Sequence, residues 1–111
     1  MNPQVKQLMQ IAKETVSKET YKKVRFIEDE KELQEALQYS IISSLEQKHH
    51  KLNKEIQRLE KQSKNLLIAK SKSLLVPSKI KHFAVEFNKD EFYKLSRLLN
   101  DIEKEMKNGL V

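Results

Sequence analysis

The chain contains no cysteine, and its 111 residues include one glycine, Gly109, and two prolines, Pro3 and Pro77. Without cysteine there is no disulfide framework, thiol nucleophile or thiolate zinc site. With so little glycine there is scant material for tight hairpins or for loops that wrap a phosphate. No apolar run approaches the roughly 20 residues that a bilayer-crossing helix needs, and no signal-peptide core is visible. Histidines are few and badly placed for a metal: His49 and His50 are adjacent, and His82 lies beyond Pro77. No serine-histidine-aspartate context and no paired carboxylates in an evident cleft emerge either. The expectation is a protein that is not an enzyme and needs no cofactor.

What the chain does have is charge and helical periodicity. Charged residues make up 34% and hydrophobic ones 38%, with aromatic content low, a balance typical of long helices. The net charge of +6 is unevenly spread. Residues 1–27 carry six basic and two acidic side chains, residues 28–36 five acids and one lysine, and residues 37–82 ten bases and three acids. Blocks of this kind point to different surfaces for different partners, although solvated helix faces also produce them.

The opening segment reads as a helix with Asn2 as N-cap and Pro3 at the first position, where its missing N–H costs nothing. Val5, Leu8, Met9, Ala12 and Val16 share one face. The following SKETYKKVRFI is a basic connector or a continuation, with a bend expected near Phe26. This amphipathic, basic start is presequence-like, but it carries Glu14 and Glu19 and has no arginine before Arg25. An intracellular, cytoplasmic location is therefore expected, with mitochondria and nucleus as alternatives.

Asp29 can cap a second helix, with Glu32 completing a capping box. From Leu33 no residue breaks that helix before Pro77. Leu45, Leu52, Leu59 and Leu66 recur every seven residues, with Ile42, His49, Ile56 and Ser63 at the companion positions. A single helix from 28 to about 70 would reach on the order of 60 Å. Such a rod cannot bury its own stripe, so Ile42, Leu45, Leu52, Ile56, Leu59 and Leu66 form the expected partner seam. In a parallel homodimer Glu55 would face Glu60 and Lys48 would face Asn53, which disfavours that pairing. A partner subunit, an antiparallel mate or the chain's own last helix is expected instead.

That last helix spans 89–108, capped by Asn88 and stopped by Asn108-Gly109. Phe92, Leu95, Leu99, Ile102 and Met106 form its seam. Between the two helices, residues 77–88 read as a linker or short extended segment, because Phe83, Val85 and Phe87 alternate.

The stretch EDEKELQEALQYSIISS raises a more specific reading. Asp29 and Glu30 supply an acidic lead, Leu33 a large apolar residue, Ala36 an alanine and Ser40 a serine. This pattern resembles the ubiquitin-interacting motif, with Lys31 and Ser43 departing from it. The resemblance implies that Ala36 is where ubiquitin's apolar patch settles, with Leu33 and Leu37 flanking it and Ser40 bonding to backbone. Read without the resemblance, Leu33 and Leu37 simply begin the stripe that continues through Ile41 and Leu45. The tail from Phe83 to Met106 likewise looks like the closing strand and helix of a COMM domain, though heptads occupy the place of the strands that should precede it.

One further feature is cationic. Lys51, Lys54, Arg58 and Lys61 fall at spacings of three and four, on the side away from the leucines, and Lys64, Lys70 and Lys72 extend them. Such a ladder suits a phosphate backbone or the acidic surface of a filament, or is an ordinary solvated face. No aromatic residue interleaves to stack on bases. The expected protein is thus all-α and elongated, with a long central helix (28–76, heptads over 42–69) between flanking amphipathic helices (1–27 and 89–108). Its expected role is that of a small interaction subunit, whose partners are other proteins, ubiquitin, nucleic acid or an acidic filament.

Overall fold

The computed structural model describes residues 2–62 and 65–108, and every regular element among them is an α-helix. In chain order these are α1 (Pro3–Thr15), α2 (Lys18–Val24), α3 (Glu30–Glu60), α4 (Leu67–Ser73), α5 (Val76–Glu86) and α6 (Lys89–Asn108). The molecule is elongated, 52 × 25 × 17 Å. Its long axis is set by α3, whose 31 residues run about 46 Å at 1.5 Å per residue.

The helix starts follow from local chemistry. Asn2 Oδ1 accepts from the Gln4 amide at 2.8 Å, Asp29 Oδ1 from Lys31 and Glu32 at 2.9 and 3.1 Å, and Asn88 Oδ1 from Asp90 at 2.7 Å. Each satisfies amides that a helix leaves without partners. The connector after α1 is a separate short helix: Ser17 caps α2 by accepting from Thr20 at 3.3 Å. The chain turns at Arg25 and Phe26, where the bend was expected.

Helices α1 and α2 pack on the first half of α3, and the Asn2 amide donates to Glu30 Oε1 at 3.1 Å where α1 and α3 begin together. After α3 the chain turns back. α4 returns along the second half and α5 along the middle of α3, and α6 then covers both, with Lys48–Glu103 and Lys72–Glu105 ion pairs at 3.8 and 3.7 Å. One continuous core results, drawn from all six helices.

Three expectations change here. The single helix expected over 28–76 ends at Glu60, and a turn at Lys61 and Gln62 follows. Asn65 then accepts from the Leu67 amide at 3.3 Å, favouring a new start over continuation. Leu66 is therefore buried from a different helix than Leu45, Leu52 and Leu59; Ser63, Lys64 and Gly109 lie outside the described residues. The extended segment expected over 77–88 is helical as far as Glu86. Ile80, Phe83 and Phe87 make a helical stripe that is buried, and the alternation seen in the sequence breaks because Val85 points to solvent. Pro77 sits in the first turn of α5, where the helix needs no amide from it.

The third change concerns the seams. Leu45, Leu52, Ile56, Leu59 and Leu66 are buried by the chain's own helices, as are Phe92, Leu95, Leu99, Ile102 and Met106 of α6. The residues expected to form a partner seam are thus covered within the chain. The rod shortens to α3, about 46 Å long, and the chain beyond it folds back as α4 and α5 and supplies the cover. Of the expected partner seam, Ile42 alone stays half-buried.

Candidate interaction surface

Helices α3 and α5 diverge enough to leave an open groove of about 1230 Å³. Tyr39, Ile42, Glu46 and His50 line one wall, and Pro77, Ile80, Lys81 and Ala84 the other. These positions face each other because each set recurs every three or four residues on its own helix. Ile80 is buried, Ile42 and Ala84 are half-buried against the core, and Tyr39 is exposed. The floor is therefore aliphatic. At the rim, Lys51 and Lys81 outnumber the acid Glu46.

One end of the groove is held by a polar contact between α3 and α4. His49 Nε2 lies 3.0 Å from both the carbonyl oxygen and the Oγ of buried Ser73. Asn53 Nδ2 is 3.3 Å from the same ring nitrogen, and the Ser73 hydroxyl donates to Asn53 Oδ1. A nitrogen that donates to the Ser73 carbonyl cannot also accept from Asn53, so those two contacts belong to alternative tautomers. His49, a poor seam residue in a coiled coil, instead joins α3 to the end of α4.

The cationic ladder is on the surface: Lys51, Lys54, Arg58 and Lys61 are all exposed. Lys51 borders the groove. Arg58 is engaged within its own helix, donating through Nε to Glu55 at 3.1 Å and through a second nitrogen to the other carboxylate oxygen. The Arg58 hydrogen bonds hold the Glu55 carboxyl below its ordinary range, and the carboxylate in turn raises the guanidinium. Among the described residues, Lys51, Lys54 and Lys61 make no ion pair, so the ladder offers them more readily than it offers Arg58.

The residues carrying the ubiquitin-motif resemblance divide between core and surface. Leu33 and Leu37 are buried, while Ala36 and Ser40 are half-buried. On the folded chain a partner would reach the exposed acids Asp29 and Glu30 and the Ala36–Ser40 edge, but not Leu33 or Leu37. Tyr39, between them in sequence, points outward into the groove instead.

Sequence reasoning missed the α5 wall, because residues 77–88 were read as extended. The 3-4 spacing of Ile80, Phe83 and Phe87 was the available signal. No protein-family model matches this chain, and neither the curated proteins nor the solved structures contain a match to it.

Proposed function

We propose that the chain is a non-catalytic helical adaptor, a small subunit whose α3–α5 groove receives an amphipathic helix from a partner protein. The observation that carries this reading is the groove itself, an aliphatic floor of Ile42, Ile80 and Ala84 beside a rim richer in cations than acids. At about 1230 Å³ and open along its length, it exceeds the usual small-molecule pocket of about 300–1,000 Å³. A helix laid between two helices is the common way to fill such a space. The rim selects acidic flanks on the incoming helix, since Lys51 and Lys81 would steer them and fix their register.

The test is affinity capture from cell extract with the wild-type chain and with Ala84→Arg, which fills the groove from a half-buried position. The expected result is a captured protein that cross-links to the α3–α5 groove through an acidic amphipathic segment. Ala84→Arg should weaken its binding about tenfold or more, equivalent to about 1.4 kcal/mol. Circular dichroism melting should confirm that the variant folds. Capture of nucleic acid instead, released by Lys51→Glu with Lys54→Glu and untouched by Ala84→Arg, would replace this reading with that of a phosphate-backbone binder.

A further inference from the structure

From Leu67 to Lys79 the chain stays close to one helical register across two elements, tightened at the junction where the Leu75 amide reaches the Lys72 carbonyl at 3.1 Å. Leu74 and Leu75, between α4 and α5, both hold right-handed helical dihedrals (φ −65°, ψ −20° and φ −82°, ψ −19°). The Leu74 amide reaches the Lys70 carbonyl at 3.2 Å, and the Lys79 amide reaches the Leu75 carbonyl at 3.1 Å. The segment can therefore be read as one surface at about 100° per residue. Leu66, Ala69, Ser73 and Val76 form its inner stripe and are buried.

The outer face is largely apolar, with exposed Ser71 and Ser78 along its midline. Leu67, Ile68, Leu74 and Leu75 sit at positions i, i+1, i+7 and i+8, opposite the inner stripe, with exposures of 68, 57, 77 and 53%. They are four of the eight large hydrophobic residues exposed among the described residues, gathered within nine positions. Apolar surface that is gathered rather than scattered marks an interaction site. Lysines border it on both sides: Lys70 on one edge, Lys72 and Lys79 on the other. Lys70 lies 3.5 Å from Glu60 and Lys72 3.7 Å from Glu105. The exposed Lys70–Glu60 pair is weak, the Lys72–Glu105 pair is half-buried, and each ammonium keeps donors for another oxygen.

We propose that this outer face of α4 and the start of α5 docks on an anionic membrane surface. The four aliphatic side chains would enter the boundary between headgroups and acyl chains, and Lys70, Lys72 and Lys79 would meet lipid phosphates and carboxylates. An aliphatic stripe between two cationic borders is the pattern of a helix lying in the membrane plane. No helix of the described residues is long and apolar enough to cross a membrane, so binding is peripheral. A second copy of the chain fits this face less well, because it would bring lysine borders of like charge together. This inference is independent of the α3–α5 groove.

The chain has no tryptophan, so Leu74→Trp introduces a single reporter on an exposed position. Vesicles of phosphatidylcholine with phosphatidylserine should blue-shift its fluorescence, and brominated lipid should quench it. Co-sedimentation should favour these vesicles over pure phosphatidylcholine. The double change Leu74→Glu with Leu75→Glu should lower partitioning by about a hundredfold or more, each buried leucine being worth over one factor of ten. Matching melting curves would show that the variants fold. Failure to bind anionic vesicles overturns the proposal. So does binding with no shift or quenching, which would mean adsorption by charge alone. Self-association dispersed by Leu75→Glu without vesicle binding would assign the face to a second copy.

Discussion

At the residue scale, most polar groups have short-range duties. Glu55 and Arg58 illustrate this: a pair three residues apart on an exposed face, with the carboxyl held below its ordinary range by the guanidinium. A folded-state pKa below the unfolded value of about 4.3 stabilises the fold above that value. That contribution is lost as pH falls through the folded pKa. Arg58→Gln should therefore return the Glu55 carboxyl toward its ordinary range, which a carbon-detected NMR titration would register. Because the pair is solvent-exposed, the melting temperature near neutral pH should hardly move. His49 and Ser73 act over a longer range. They join helices 24 positions apart in sequence, and the buried Ser73 hydroxyl is satisfied by Asn53.

At the scale of elements, caps and reversals matter most. Asp29 accepts two amides at the start of the longest helix, and Asp29→Ala should cost about 1 kcal/mol, read as a lower urea midpoint with an unchanged slope. The α5–α6 reversal uses a different device. Phe87 adopts left-handed dihedrals (φ 53°, ψ 40°), a conformation that normally costs a non-glycine residue of order 1–3 kcal/mol. Two contacts hold it there. Its ring packs edge-on against Phe83 at 5.0 Å, and its carbonyl accepts from Gln7 Nε2 at 2.9 Å. The turn thus depends on α1 as well as on its own residues, which makes it invisible to any local reading.

At the scale of the whole molecule, α3 is the common wall. Its buried residues Leu37, Ile41 and Leu45 belong to the one core that all six helices share. Ile41→Ala should accordingly destabilise the protein by roughly 2–5 kcal/mol. Circular dichroism and tyrosine fluorescence should still report coincident unfolding transitions, whereas separated transitions would mean that the α1–α3 and α4–α6 halves unfold independently. With the core closed, recognition is left to the surface. The two surfaces proposed for binding, the α3–α5 groove and the outer face of α4, lie on different parts of it.

The amino-acid order by itself determined the helical class, the caps at Asn2, Asp29 and Asn88, and the apolar stripes of α3 and α6, with that of α1 correct except that Ile11 rather than Met9 is buried. These depend on hydrogen bonds and periodicities within a few residues, so they can be read along the chain. The stripes do not say what covers them. A heptad of leucines looks the same whether a partner or the chain's own neighbouring helices lie against it. Only the tertiary structure decided that the chain turns after Glu60, that 76–86 is helical, and that Leu33 and Leu37 face inward while Tyr39 faces out. Those outcomes come from contacts between residues far apart in sequence, where burying a shared core outweighs the local preference for one longer rod.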